Sequence, residues 1–339
     1  MSELRRRVDE TAALTGFAGV VRVERGGAVE LDAAYGLADR RHGVAMTTDS
    51  QLGMASGSKT FTAVVVMRLV EQGLLTLATT ARHLLGTDLP LIADDVTVEH
   101  LLSHRSGIGD YLDEDEFDSE EYELAVSAHR LVRTQDFLPI LDGYPTKFRA
   151  GDRFNYCNGA FVVLALIAER VSGRSYQDLV AELVCSPAGM VGTGFPRSDA
   201  LPGRAALGYV EVEGQWRTNV FNLPVIATGD GGAYTTTADM ARFWAALMAG
   251  QVVTAETLAD MRTPRSEPDR GERRCYGLGL WLDTDSPQIT MSGADAGVSF
   301  WSSHYPDRES TITVISTTIN GAWPVAGIVD ADVCAETRP

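Results

Sequence analysis

Residues 52–73, LGMASGSKTFTAVVVMRLVEQG, join an apolar helix to a lysine at its start. From Phe61 onward most side chains are apolar, which is typical of a helix inside a core. Lys59 follows Ser56 by three residues, so a helix would place both side chains on one face. A hydroxyl beside an amine at a helix N-terminus is one arrangement of an activated nucleophile. The alternative is that Lys59 extends its amine to solvent from the first turn.

The use of lysine in this chain favours the first interpretation. Among the 29 Lys and Arg residues, only Lys59 and Lys147 are lysines. Arginine cannot be deprotonated in a protein, whereas a lysine removed from water can become a neutral base. A lysine kept at an apolar helix start therefore suggests proton transfer.

The ends of the chain predict strands, and its middle predicts helices. Residues 17–36, FAGVVRVERGGAVELDAAYG, alternate around Gly26–Gly27, which indicates a β-hairpin. Residues 76–225 have mostly helical patterns, and strand patterns return after 226. We therefore predict an α/β domain made of residues 1–75 and 226–339, with an inserted helical domain at 76–225. The cleft between the two domains is the expected place for a small-molecule site.

Composition excludes several classes of function. The net charge of -17 disfavours nucleic acids and anionic membranes as partners. No apolar run approaches the roughly 20 residues of a membrane span, and no signal core follows the first basic residues, so we expect a cytoplasmic protein. The four cysteines form no C-x-x-C pair, so we expect reduced thiols and no metal site. Dinucleotide, P-loop and zinc-protease motifs are missing, so we expect no cofactor.

A second polar segment precedes another apolar helix. Residues 148–173, FRAGDRFNYCNGAFVVLALIAERVSG, place Tyr156 and Asn158 just before the apolar run. A phenol near a cationic lysine would lose its proton more easily, and would serve as a base or a proton relay. The alternative is that Asn158 caps the helix and Tyr156 packs at its edge.

Together these segments resemble a known family. Ser56-Gly57-Ser58-Lys59 followed by Tyr156-Cys157-Asn158 is similar to the serine β-lactamase and penicillin-binding-protein superfamily, in the branch of class C β-lactamases, D-alanyl-D-alanine carboxypeptidases and related esterases. VTVEHLLSHRSGIGDY (96–111) and GGAYTTTADMARFW (231–244) also look like segments of that branch. The resemblance implies an α/β fold of the α+β type, in which helices flank an antiparallel sheet and a mostly helical domain is inserted.

The resemblance also implies catalytic roles. Ser56 would be the nucleophile that forms an acyl-enzyme, and Lys59 would help to deprotonate it. Tyr156 would act as general base and later as acid toward the leaving group. Asn158 would hold the substrate amide or the lysine. The backbone N–H groups of Ser56 and Ala294 would form the oxyanion hole.

The third motif departs from the family. Members carry Lys or His, then any residue, then Gly, where this chain has ITMSGADAGVSFWSS at 289–303. Ser292 and Gly293 match this motif, but Met291 replaces the cation. We expect Met291, Ser292 and Gly293 to contact substrate, with the thioether as an apolar pocket floor. A thioether cannot hold a carboxylate, which argues against penicillins and peptide C-termini as substrates.

The sequence thus predicts a serine hydrolase, esterase- or amidase-like, acting on an ester, amide or lactam bond of a neutral or cationic small molecule. Two alternatives remain, namely an acyltransferase that passes the acyl group to an amine or alcohol and an inactive ligand-binding member. Residues 110–123 contain nine carboxylates and predict a solvated face, or else a lid that favours cationic substrates. The sequence leaves the oligomeric state open.

Overall fold

A computed structural model describes residues 2–114, 124–267 and 273–335. The strands in these ranges are β1 Gly19–Arg25, β2 Ala28–Tyr35, β3 Leu37–Asp39, β4 Val44–Ala45, β5 Leu52–Gly53, β6 Tyr209–Val212, β7 Gln215–Thr218, β8 Tyr234–Thr235, β9 Arg274–Tyr276, β10 Trp281–Asp283, β11 Ile289–Asp295, β12 Val298–Tyr305 and β13 Ser310–Ser316. The helices are α1 Glu3–Thr15, α2 Lys59–Glu71, α3 Ala81–Leu85, α4 Val98–Leu102, α5 Leu138–Leu141, α6 Asn158–Ser172, α7 Tyr176–Val180, α8 Ser186–Ala188, α9 Thr237–Met248, α10 Ala255–Met261 and α11 Ala322–Ala335.

The main sheet has seven strands in the order β2-β1-β13-β12-β11-β10-β9. Every neighbouring pair is antiparallel, so the predicted antiparallel sheet is confirmed. β1 and β2 form the hairpin predicted around Gly26–Gly27, whose φ angles of 53° and 77° require the left-handed region that glycine tolerates. β1 then pairs with β13, so an early strand and a late strand of the chain are neighbours inside the sheet.

The two faces of the sheet are covered by different helices. On one face Val21 and Val314 pack with Val8 of α1 and Val329 of α11. On the other face Ile315 belongs to the larger core, which also contains α2, α6 and α9. This division follows from the alternation of side chains along each strand, because neighbouring residues point to opposite faces.

Between residues 76 and 225 lie α3 to α8 and the hairpin β6–β7. α6 and α7 pack against α2, and α3 and α4 pack against α6. Its strands do not enter the seven-stranded sheet. This order is compatible with the predicted inserted domain, but the division of the chain into two domains stays a prediction.

α2 is buried on nearly every side, as its sequence predicts. The fully buried Phe61 packs edge-on against Phe243 of α9, with ring centroids 5.2 Å apart. Burial of such a ring stabilises the fold by about 2–3 kcal/mol. α2 is therefore held inside the larger core, between the sheet and the helices α6 and α9. The turn that precedes α2 is held in place with it.

Candidate active site

Ser56 lies in a tight turn that connects β5 to α2. Residues Ala55–Ser58 form one turn of 3-10 helix, and Ala55 has a left-handed φ of 42°. The carbonyl of Ala55 accepts hydrogen bonds from Ser58 Oγ (2.9 Å) and from Gly232 N–H (3.3 Å). A non-glycine residue in this region is strained, and such strain persists only where surrounding contacts hold it. The turn therefore presents Ser56 from a rigid backbone.

Lys59 begins α2 and is buried, with 2% of its surface exposed. Its Nζ lies 2.8 Å from Ser56 Oγ, 2.7 Å from Asn158 Oδ1 and 2.6 Å from the carbonyl oxygen of Asp230. A neutral amine has two N–H donors for the two carbonyl-type oxygens and a lone pair for the Ser56 hydroxyl. A charged ammonium donates to all three oxygens. The same contacts thus suit both the neutral and the protonated form of Lys59.

Burial lowers the pKa of Lys59 below its usual 10.5, because the charged form is the one that loses hydration. Four carboxylates oppose this effect by favouring the ammonium; in decreasing order these are Asp230, Glu114, Asp110 and Asp295. The expected alternative, in which Lys59 reaches solvent, does not occur.

Asn158 is the first residue of α6 and is 3% exposed. Its side chain does not cap the helix, because its Oδ1 holds Lys59 and its Nδ2 donates to the carbonyl of Leu112 (2.9 Å). Asp110 supplies the cap instead. The Asp110 carboxylate accepts from the N–H groups of Asn158 (2.6 Å) and Gly159 (2.8 Å). This carboxylate therefore frees the Asn158 amide to orient Lys59.

Tyr156 precedes α6, and its hydroxyl is close enough to the Ser56 side chain to interact with it. Lys59 Nζ lies 5.0 Å from the centre of the phenol ring. Burial raises the pKa of Tyr156 well above 10, and the charges of Glu114 and Asp230 raise it further. This direction is opposite to our expectation, because burial and the nearby carboxylates disfavour the charged phenolate. The resting side chain is thus a neutral phenol that can donate a proton.

A cavity of about 780 Å³ opens over these groups, and Ser56, Tyr156 and Asn158 line it. Its walls are largely apolar, with proline, leucine, tyrosine and tryptophan side chains. Four carboxylates also line it, namely Glu114, Asp199, Asp230 and Asp295. Tyr111 donates its hydroxyl to Asp230 Oδ2 at 2.5 Å. No Arg, Lys or His is among the lining residues in the described part of the chain.

β11 forms one wall of the cavity through Ser292, Gly293 and Ala294. A Cβ at Gly293 would lie 2.6 Å from Ser56 N and 2.6 Å from the carbonyl oxygen of Met54, so only glycine allows the strand to approach the turn. Within the described residues, β10 pairs with β11 only at Ile289 and Thr290. Ser292, Gly293 and Ala294 are therefore not covered by β10. Ser56 and Ala294 thus bring their backbone to the same wall, and their joint action as an oxyanion hole stays a prediction.

Met291 does not line this cavity. Its side chain is 1% exposed and lies in the larger core together with Met54 and Phe300. Gly293 shares its face of β11, because side chains two residues apart point the same way. That face points at the serine turn, so the methionine fills space behind the turn. This placement differs from the expected apolar pocket floor.

Sequence reasoning missed Asp110 and Asp230, although Asp110 lies in a segment that carries the family resemblance and Asp230 directly precedes another. The contacts that matter join residues far apart, such as Asp110 with the start of α6. Asp230 contributes its backbone carbonyl to Lys59, a contact that no side-chain motif encodes. Of the acidic run at 110–123 the structure describes residues 110–114, where Asp110 and Asp113 are buried and Glu114 is exposed. The prediction of a solvated face is wrong for Asp110 and Asp113, and the lid stays a prediction because residues 115–123 lie outside the described residues.

Other expectations concern metals, thiols and membranes. In the described residues no cluster of His, Cys, Asp and Glu could hold a metal ion. Cys157, Cys185 and Cys275 are buried free thiols, and Cys334 is an exposed free thiol. No helix in these ranges has both the length and the apolarity needed to cross a membrane.

Comparisons with known proteins agree with the geometry. The beta-lactamase family model matches residues 4–333. Penicillin-binding protein 4* of Bacillus subtilis (strain 168) is 29% identical over 322 residues, which cover 88% of this chain and 68% of that protein. Esterase EstB of Burkholderia gladioli is 29% identical over 327 residues, covering 84% and 80% respectively. A crystal structure of a penicillin binding protein from Bacillus halodurans superposes with a TM-score of 0.90 at 34% identity, covering 96% of this chain and 99% of the other.

Proposed function

The chain belongs to the beta-lactamase family and is a serine hydrolase; we propose that Ser56 is the nucleophile that attacks an ester or amide bond and carries the acyl group. The observation that carries this proposal is the 2.8 Å contact between Lys59 Nζ and Ser56 Oγ inside a buried site. The partners of Lys59 Nζ are a hydroxyl, an amide oxygen and a backbone carbonyl oxygen. These contacts hold the amine against Ser56, and burial lowers the pKa of Lys59, which favours the neutral form that accepts a proton.

In the acylation step the neutral amine of Lys59 takes the proton of Ser56 while Oγ bonds to the substrate carbonyl carbon. The carbonyl oxygen becomes an oxyanion that the N–H groups of Ser56 and Ala294 would stabilise, each by about 3 kcal/mol. The ammonium of Lys59 keeps its bonds to Asn158 Oδ1 and to the carbonyl of Asp230 throughout the transfer.

Tyr156 completes the cycle as an acid and proton relay. Its raised pKa keeps the phenol protonated, and its hydroxyl is next to Ser56. The phenol donates its proton to the leaving alcohol or amine as the scissile bond breaks, and recovers a proton from the Lys59 ammonium. Water then attacks the acyl-enzyme, giving up a proton through the same groups, and releases the carboxylic acid and free Ser56.

We also propose that the substrate is neutral or cationic. The support is the lining of the cavity, which combines apolar walls with carboxylates and contains no basic side chain in the described residues. A substrate carboxylate near these groups would be repelled, whereas an ester, an amide or an amine would not.

The test is replacement of Ser56 by alanine. With p-nitrophenyl butyrate and a fluorophosphonate as probes, the wild-type protein should turn over the ester and gain one covalent adduct by intact-mass spectrometry. The Ser56→Ala protein should do neither. Ser186→Ala, at an exposed serine outside the cavity, is the matched control and should behave as wild type. Wild-type esterase activity in Ser56→Ala would refute the assignment of the nucleophile.

A further inference from the structure

We infer that His104 is a positioning residue that fixes the hydroxyl of Tyr156 against Ser56. This inference rests on the proposed role of Tyr156 in the function above. His104 lies in the loop after α4 and is 0% exposed. It does not line the cavity and does not touch the reacting atoms, so its effect must pass through Tyr156.

His104 holds the chain on both sides of Tyr156. Its backbone carbonyl accepts from the N–H of Asn155 at 2.9 Å. Its ring Nδ1 accepts from the N–H of Cys157 at 3.0 Å. The residues immediately before and after Tyr156 are therefore hydrogen-bonded to the same histidine, which fixes the backbone from which the phenol projects.

The imidazole also packs on the phenol itself. The ring centroids of His104 and Tyr156 lie 4.3 Å apart at an interplanar angle of 31°. The indole of Trp281 lies nearly parallel to the phenol, at 6.3 Å and 11°. Phe161 and Tyr276 contact the imidazole at 4.9 Å and 4.7 Å and hold it in turn. Backbone bonds and ring contacts together leave the Tyr156 side chain little freedom.

The fold tolerates two unfavourable features at His104. Its backbone has a left-handed φ of 55°, which is strained for a residue with a side chain. Because Nδ1 is the acceptor, the ring proton is on Nε2, and Nε2 is buried with no hydrogen-bond partner in the described part of the chain. Burial and the charge of Lys59 lower the pKa of His104 well below 6.5, so the ring is neutral. Features of this kind collect at functional sites.

The hydrogen bonds from the N–H groups of Asn155 and Cys157 to His104 are called the clamp below. Two substitutions at this position separate the clamp from the packing of the imidazole on Tyr156, because both remove the ring. In His104→Asn the side-chain Oδ1 can occupy the position of Nδ1, and asparagine tolerates the left-handed backbone. In His104→Gln the amide oxygen lies one bond further out, so the N–H of Cys157 loses its acceptor. Tyr156→Phe serves as the reference for loss of the hydroxyl. All variants are checked for melting temperature against wild type.

The readout is kcat and KM for two butyrate esters. Phenyl butyrate needs a proton on its leaving group more than p-nitrophenyl butyrate does, so it reports on Tyr156. We expect His104→Gln to lower kcat for phenyl butyrate on the order of 100-fold, with a smaller loss for the p-nitrophenyl ester and little change in KM. Tyr156→Phe should give the same selective loss. His104→Asn should stay within about tenfold of wild type for both esters.

Three results would overturn the inference: wild-type kcat in His104→Gln, an equal loss for both esters in that variant, or an inactive but folded His104→Asn. Failure of the proposed function gives a different pattern. Wild-type activity in Tyr156→Phe would refute the role of Tyr156 and the clamp with it. Low activity in Tyr156→Phe combined with wild-type activity in His104→Gln would refute the clamp alone.

Discussion

Lys59 shows why the identity of a single cation matters in this site. Arginine would keep the positive charge, but it cannot give up a proton at any ordinary pH. We therefore expect Lys59→Arg to be nearly as damaging as Lys59→Ala, with kcat for p-nitrophenyl butyrate lowered on the order of 100-fold or more in both. Steady-state kinetics with both variants measure this directly.

The control for this substitution is Lys147→Arg, at the other lysine of the chain, which pairs with Asp113 outside the catalytic groups. It should retain wild-type kcat, because an arginine can form the same ion pair. If Lys59→Arg keeps activity close to wild type, Lys59 supplies charge alone and does not act as a base.

Single residues also mark the limit of sequence reasoning. The Ser56–Lys59 spacing predicted their contact because both sit on one helical turn, where geometry is local. The pKa of Tyr156 depends on Glu114, Asp110 and Asp230, which lie far away in sequence, so its direction was not predictable from the motif. The placement of Met291 behind the serine turn depends on which face of β11 points inward, and a motif match does not give that face.

α6 is capped by a carboxylate from a distant loop, and this cap responds to pH. Burial raises the pKa of Asp110 to about 6 from 3.8, although three backbone N–H groups and Lys59 oppose the shift. The folded protein therefore favours the protonated form. The contribution of Asp110 to stability is complete below about pH 4 and is lost as pH rises toward 6.

Asp110→Asn removes this titration. The free energy of unfolding of wild type, relative to the variant, should fall between pH 4 and pH 7 by ~1.4 kcal/mol for each unit by which the pKa is raised. Urea denaturation of both proteins across this range measures the difference. A relative stability that is flat or rises with pH would contradict the raised pKa of Asp110.

β11 and the serine turn are in contact because residue 293 has no side chain. A Cβ there would lie 2.6 to 2.7 Å from the backbone atoms Met54 O, Ser56 N and Gly57 N, none of which can rotate away. We expect Gly293→Ala to separate the strand from the turn and to destabilise the protein by about 1–3 kcal/mol. It should also lower kcat, with a smaller change in KM.

The matched control for Gly293→Ala is Gly203→Ala, because a Cβ at Gly203 meets nothing within 4 Å. Melting temperature and kcat should both stay near wild type in the control. Full activity in a folded Gly293→Ala protein would show that the turn does not depend on this close approach.

The larger elements of the fold were predictable where their signals are local. The hairpin of β1 and β2 follows from alternation around Gly26–Gly27, and α2 follows from its apolar run. α1 was missed because only Leu4, Val8 and Ala12 of its residues are buried and most of its other residues are polar. The hairpin β6–β7 was missed as well, since only Tyr209 of its residues is buried and the alternation is weak.

The net charge of the whole molecule and the carboxylates of the cavity both disfavour an anionic substrate. The chain has a net charge of -17, and four carboxylates line the site. Matched esters that differ only in a remote free carboxylate or its methyl ester should show kcat/KM at least about tenfold in favour of the uncharged form, or roughly 1.4 kcal/mol.

Ionic strength provides the control for this preference. Raising the salt concentration from about 0.05 to 0.5 M shortens the Debye length, so the part of the preference due to long-range repulsion should shrink. Efficient turnover of the carboxylate substrate at low salt would contradict the proposed selectivity for neutral or cationic molecules.

The pairing of β1 with β13 has a consequence for folding while the protein is being synthesised on the ribosome. The hairpin of β1 and β2 leaves the ribosome well before its partner β13, which comes from residues 310–316. Until β13 is made, one edge of the hairpin therefore lacks its final neighbour. Such an edge is a template for strands of other nascent chains, and long-range pairing of this kind is slow to form. The risk of aggregation is thus concentrated in the interval before β13 is made.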